Sequence, residues 1–199
     1  MSGNEKAYMP KEQVILVWAL MTLHGFRRLY ESTTFGKSSK STMSLGQLLV
    51  GIGFYVAVGL AVWIEGAHTI LASKPFISSL ELSPPSIKTM LWLPFFFLAS
   101  GMQYDCHAYL ASLPKYTLPI HPAFQLVVCP HYFAECVIYL SLMGIAAPPG
   151  TFINKAISSI LMFVVTNLGV TAEGTHEWYV ENFGAEKLID RGIMIPYVW

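Results

Sequence analysis

The chain has 199 residues, of which 54% are hydrophobic and 12% charged. That charged share is about half of what soluble domains carry, and with a positive mean hydropathy it marks a membrane protein rather than a soluble domain. Acidic and basic residues number 12 each, which leaves no strongly basic surface of the kind that binds nucleic acid.

The N-terminus, Met1 to Lys11, is polar and does not read as a cleavable signal peptide. A first span is expected from about Gln13 to Glu31. It opens apolar, from Val14 to Leu20, and ends polar, with His24, Arg27, Arg28 and Glu31. Steps of three, four and seven residues put those four on one helix face. Snorkelling arginines at an interfacial end account for Arg27 alone, but not for a His and a Glu on the same face.

A polar linker, Ser32 to Met43, carries Lys37 and Lys40. Leu45 to Ile64 is uncharged, apolar and long enough to cross a bilayer. Its glycines, Gly46, Gly51, Gly53 and Gly59, read as small positions for close helix packing. His68 reads as an exposed loop histidine, and the loop Glu65 to Ser86 closes on Pro84-Pro85. A third span follows from about Ile87 to His107, kinked at Pro94 and ending in Gln103-Tyr104-Asp105-Cys106-His107. Gln103 and His107 are four apart and share a face.

After a loop, Ala111 to Pro122, with Lys115 and Tyr116, the apolar run Phe124 to Ala147 is read as a fourth span. It contains Pro130-His131-Tyr132-Phe133-Ala134-Glu135, in which His131 and Glu135 stack on one side of a helix. An ionisable pair at membrane depth is costly unless it faces a protein interior or a wet cavity. Pro148-Pro149-Gly150 turns the chain into a fifth span, about Ile153 to Ala172, with helix running on beyond it. Asn167, Thr171, Glu173, His176 and Tyr179 lie along this last element, and the aromatic tail ending in Trp199 reads as an interfacial anchor. Cys106, Cys129 and Cys136 have neither zinc nor disulfide spacing and read as buried small hydrophobes.

The expected fold is therefore all-α, a multi-pass transmembrane helical bundle with about five spans, residues 1–199 forming one membrane domain. With a cytosolic C-terminus, Arg27, Arg28, Lys37, Lys40, Lys115, Lys187 and Arg191 fall inside, against Lys6, Lys11, Lys74, Lys88 and Lys155 outside. That bias favours this orientation. It also brings the polar ends of the first, third and fifth spans, and the start of the fourth, to one membrane face. Arginine there suits a phosphate through its planar fork. No GxGxxG follows a strand, so a Rossmann site is excluded. The isolated histidines, no two within five positions, argue against a bound metal, and no charged ring or broken-helix pair supports a pore.

Several segments together carry a resemblance. Leu23-His24-Gly25-Phe26-Arg27-Arg28-Leu29-Tyr30-Glu31, Gln103-Tyr104-Asp105-Cys106-His107, Cys129-Pro130-His131-Tyr132-Phe133-Ala134-Glu135, Thr175-His176-Glu177-Trp178-Tyr179 and the closing Pro196-Tyr197-Val198-Trp199 resemble the steroid 5α-reductase family. Within it they are most similar to the polyprenol reductase branch of fungal type, over about residues 13–199. The resemblance implies an NADPH-dependent reductase of the endoplasmic reticulum membrane acting on a long-chain isoprenoid lipid, in the dolichol synthesis that serves N-glycosylation. It implies His131 and Glu135 at the nicotinamide end of the cofactor. Asn167, His176 and Tyr179 complete the cofactor wall, Arg28 helps to hold the cofactor, and Gln103 and His107 stand at the family's polar positions. Tyr116 falls in a loop that contacts cofactor in the family but is shorter here. Protein partners are not implied.

Two departures accompany it. The steroid-reducing members have a tyrosine at the position of Gly25, where it meets the substrate carbonyl. The family also has further N-terminal spans, so the chain is expected either to be a truncated version or to lack part of the substrate wall.

Hydride addition to a carbon–carbon double bond needs a carbonyl to accept the displaced charge. A polyprenal, an α,β-unsaturated aldehyde, is therefore expected as the immediate substrate rather than the alcohol, with His24 beside Gly25 as the catalytic candidate for stabilising the enolate. Two alternatives stand beside this reading: a membrane methyltransferase of the isoprenylcysteine type, whose helices carry a related His-Pro-x-Tyr pattern, and a shortened, non-catalytic relative.

Overall fold

The computed structural model describes residues 8–36, 43–72 and 85–199. The start of the polar N-terminus, the linker lysines Lys37 and Lys40, Lys74 and Pro84 lie outside the described residues, as do most of the loop's own residues. Among the described residues seven α-helices follow in order: α1 (Lys11–Thr34), α2 (Leu45–Ile64), α3 (Ala67–Ala72), α4 (Ile87–Ser112), α5 (Pro122–Leu126), α6 (Pro130–Ile145) and α7 (Lys155–Phe183). Among the described residues the one piece of β structure is an isolated parallel bridge, Val127 to Gly192. The protein is an all-α membrane bundle, and its five long helices overlap the stretches read as spans, the fourth only in part. By length and composition, α2 and α7 are apolar enough to cross a membrane on their own. α1 and α4 carry charged and polar side chains of the site, and α6, at 16 residues, is shorter than a span requires.

α6 is the central helix. Ala134, Ile138, Leu142 and Ile145, spaced four, four and three apart, are fully buried along it, as a helix enclosed by neighbours requires. It packs mainly against α4, through Phe96 and Ala99, and against α7, through Ile157 and Val164. α1 adds Val14, Val17 and Leu20 to the same core, and α2 adds Val58, Ala61 and Val62.

Three features differ from expectation. The fourth span does not run unbroken from Phe124. Pro130 occupies the first turn of α6, and the residue before a proline avoids the helical region. Cys129 accordingly sits at φ −122°, and Val127 is extended. The remaining 16-residue helix is about 24 Å long, short of the roughly 30 Å of a hydrocarbon core. His68 is exposed but helical, in α3, with its ring stacked on Tyr8 at 4.3 Å.

The third difference concerns α2. A Cβ added at Gly51, Gly53 or Gly59 would meet nothing within 4 Å, so these glycines are not contact positions. The close approaches lie elsewhere: at Gly66 against Val14, and at Gly144, where an added Cβ would overlap the indole of Trp92. The buried residues of α2 all fall in its second half. Its first half, with Gly46 and Gly51, instead forms one wall of an internal space described below.

Side chains and backbone secure the helix ends. Asn154 caps α7 by accepting from Ile157 N at 2.9 Å, and donates Nδ2 to Ala146 O at 3.0 Å, so one buried amide starts α7 and ends α6. Lys88 Nζ donates to Ala147 O and, at 3.2 Å, to Thr151 O. At the other end of the bundle the tail folds back. Val128 N and Cys129 N donate to the carbonyls of Gly192 and Ile193 at 2.8 and 3.0 Å, satisfying backbone groups that the break before α6 leaves free. Met194 is fully buried. Trp199 stands against Gly169 of α7, and its carbonyl accepts from Met194 N and Ile195 N. The tail expected at an interface is thus tied to the bundle, while Tyr197 projects outward. The three cysteines are free thiols, with Cys106 and Cys129 buried.

Candidate active site

The polar cluster grows out of the same stripes that make the core. On α1 the buried positions are Lys11, Val14, Val17, Leu20, His24 and Glu31, so toward the end of the helix two polar residues, His24 and Glu31, continue an apolar face. On α4 the buried series Phe96, Ala99, Gln103, Cys106 does the same. Groups so placed are tolerated only when their hydrogen bonds are met inside the protein, and the helices meet where this happens.

Arg27 Nη2 donates to His24 Nδ1 at 3.1 Å. A guanidinium has only donors, so Nδ1 is the accepting nitrogen and the proton of the neutral ring sits on Nε2. That nitrogen donates to Glu135 Oε1 at 3.2 Å. Gln103 joins three elements: its Oε1 accepts from Arg27, and its Nε2 donates to Glu135 Oε2 and, at 3.2 Å, to the His131 carbonyl. Glu31 accepts from Arg27 and Arg28, one on each oxygen. His107 Nδ1 lies 2.8 Å from Glu31 Oε2 and 2.8 Å from Arg28 Nη1. One nitrogen cannot donate to the first and accept from the second, and we assign its proton to the Glu31 carboxylate, the stronger acceptor. Two guanidinium groups thus face two carboxylates across the cluster.

This cluster forms the floor of a cavity of about 1030 Å³. His24, Gly25 and Arg28 line it from α1, Gln103 and His107 from α4, and Tyr132, Glu135 and Tyr139 from α6. Its other walls are Gln47, Phe54 and Tyr55 of α2, and Phe163, Asn167 and Thr171 of α7. The cavity is therefore polar at one end and aromatic along its sides. The Arg28 side chain, 40% exposed, is less enclosed than those of Arg27 and Glu31.

Of the residues singled out from the sequence, His24, Arg28, Gln103, His107, Glu135 and Asn167 come together at this cavity. His131 lies one layer behind it, with its ring 5.3 Å from that of His107 and 4.3 Å from that of Tyr132. Its Nδ1 is buried with no hydrogen-bond partner among the described residues. Three others lie outside the cavity lining. Tyr116 sits in the α4–α5 connection at φ 63°, mostly exposed, with its ring 6.0 Å from Trp178. Tyr179 packs with Cys129, Ala172, Leu188 and Met194. His176 is half-buried on α7, on the side opposite Asn167, because nine residues turn a helix by about 180°.

The sequence reading did not pick out Tyr139, although it stands one helical turn after Glu135, a spacing that would have found it. Nor did it identify the role of Glu31 as the carboxylate joining both arginines to His107.

A family profile described as 3-oxo-5-alpha-steroid 4-dehydrogenase matches residues 41–199. Among curated proteins, the chain is 30% identical to the polyprenal reductase of Xenopus tropicalis, over all of this chain and 65% of that protein. It is 32% identical to the polyprenal reductase of Saccharomyces cerevisiae, over 92% of this chain and 64% of that protein. With the polyprenal reductase of Caenorhabditis elegans the figures are 31%, 92% and 60%. The chain thus spans just under two thirds of the length of these relatives.

Proposed function

The chain belongs to the 3-oxo-5-alpha-steroid 4-dehydrogenase family, the steroid 5α-reductase family of the sequence reading, and from that premise we propose that it is an NADPH-dependent oxidoreductase. It saturates the α-isoprene double bond of a polyprenal, in dolichol synthesis for protein N-glycosylation. The observation that carries this reading is the cavity itself: a charged, hydrogen-bonded floor built by three helices, opening between aromatic walls inside a membrane bundle. A long isoprenoid can leave its tail in lipid while its polar head reaches that floor.

The residues present fit a dinucleotide cofactor. Arg28 is held by Glu31 yet keeps donors free for a phosphate, Gln47 and Asn167 offer amides, Thr171 offers a hydroxyl, and Phe54 and Phe163 offer ring faces. When bound, the nicotinamide supplies a hydride. Arg28, Asn167, His107 and Glu135 would hold and orient the cofactor from the cavity side, with His131 supporting His107 from behind.

His24 has both ring nitrogens engaged, so in this arrangement it positions Glu135 and Arg27. The donor role expected of it from the sequence requires Glu135 to release Nε2–H. We place the protein in the endoplasmic reticulum membrane with its C-terminus in the cytosol. Protease protection of a C-terminal tag in intact microsomes would contradict that orientation.

The test is rescue of cells lacking their own reductase. With this chain expressed, mass spectrometry of extracted lipids is expected to show dolichol-type lipids restored, and Glu135→Ala is expected to abolish the restoration. Good expression without restored dolichol would overturn the proposal for this chain. In a purified assay, reduction of polyprenol with polyprenal left untouched would overturn the choice of the aldehyde.

A further inference from the structure

Enal reduction leaves negative charge on a carbonyl oxygen, and some donor in the cavity has to meet it. Most donors on the floor are already committed. His24 gives Nε2–H to Glu135, Gln103 gives its amide protons to Glu135 and the His131 carbonyl, and His107 Nδ1 and Arg28 Nη1 meet Glu31. Tyr139 differs from all of these. The residue is 3% exposed and lines the cavity, and its hydroxyl has no hydrogen-bond partner among the described residues. That hydroxyl is also not one of the partnerless polar atoms sealed away from open space, which are Arg27 Nε, Ser100 Oγ and His131 Nδ1. It therefore opens on the cavity.

The phenol ring is fixed by its neighbours. The Phe54 and His24 rings both lie 6.1 Å from it, the latter edge-on at 79°. Tyr139 also follows Glu135 by one turn of α6, on the same face. A buried phenol with apolar flanks and an unfilled donor is costly to leave unpaired. Placed at developing charge in a water-poor wall, it stabilises that charge more than it would in water. Tyr55 also lines the cavity, but its side chain is largely exposed. Tyr132 also lines the cavity, with its ring 4.3 Å from that of His131 rather than beside Glu135 on the same face.

Resting on the reductase reading above, we propose that the Tyr139 hydroxyl is the catalytic hydrogen-bond donor to the aldehyde oxygen. Hydride from the dihydronicotinamide adds to the β carbon. The double-bond pair moves between the α carbon and the carbonyl carbon, and the carbonyl pair moves onto the oxygen, where Tyr139 O–H meets it. A proton from water then adds at the α carbon, the oxygen returns to a carbonyl, and the saturated aldehyde leaves with Tyr139 unchanged.

The experiment uses the 199-residue chain in lipid nanodiscs with a short isoprenoid enal. Two readouts are taken on the unmodified chain and on Tyr139→Phe, which keeps the ring and its packing: turnover with NADPH, and the infrared carbonyl stretch of the bound enal. Tyr139→Phe is expected to lower kcat about 100-fold with cofactor affinity unchanged, and to shift the stretch to higher frequency as the hydrogen bond is lost. An active chain whose Tyr139→Phe variant turns over equally fast, or binds the enal with an unmoved stretch, overturns the assignment while leaving the reductase reading intact. An unmodified chain that binds the enal without reducing it removes the reductase reading, and the catalytic role falls with it.

Discussion

His24, on α1, donates its Nε2 proton to Oε1 of Glu135, on α6, at 3.2 Å across 111 residues of chain. The direction of that bond follows from a second one, because Arg27 can only donate to the other ring nitrogen. Arg27 thus sets the tautomer of His24, and His24 with Gln103 sets the orientation of Glu135. The carboxylate at the cavity floor is held from two other helices.

Glu135→Gln keeps the side-chain shape but replaces one acceptor oxygen with a donor that faces the Nε2–H of His24 or the amide of Gln103. Reductase turnover is expected to fall roughly 100-fold or more, the range for losing a group that acts at the reacting centre, while expression and membrane insertion persist. Steady-state kinetics on the purified variant check this.

Glu31→Ala leaves two guanidinium groups and His107 without their shared carboxylate. Breaking a buried pair by removing one partner costs about 3–5 kcal/mol, and here the carboxylate is almost wholly enclosed. The melting temperature in detergent should drop clearly. Replacing Arg27 and Glu31 together by methionine should recover part of the loss, which a double-mutant cycle measures.

Gly144→Ala places a methyl group into the Trp92 indole at the contact of α6 with α4. Overpacking of this kind costs about 1–3 kcal/mol. Thermal unfolding should show the loss, and adding Trp92→Phe should relieve part of it by clearing space.

Asn154→Ala removes both the cap of α7 and the donor to the last turn of α6. Loss of a cap costs about 1 kcal/mol, and the Ala146 carbonyl left unpaired in a buried place adds about 1–3 kcal/mol. Asn154→Asp should keep the cap and lose only the second bond. Its unfolding temperature should therefore fall between those of the parent and the alanine variant.

Much of this protein follows from the sequence alone. Apolar length sets where helices lie, because a helix satisfies its own backbone in lipid. The four- and seven-residue spacings of His24, Arg28 and Glu31, and of His131 and Glu135, put each set on one face without reference to any other part of the chain. Membership of the family was equally legible, since it rests on local motifs. What only the tertiary structure decided is how those faces meet. Tyr179 sits on the same helix as Asn167 yet misses the cavity, because the rotation and tilt of α7 are set by packing against α6 and α2. The glycines of α2 were read as contact points, but nothing in the helix itself says which neighbour comes near. Tyr139 was not singled out from the sequence. Its hydroxyl acquires meaning only because α1 and α4 commit most donors of the floor to one another and to Glu135, and leave it facing open space.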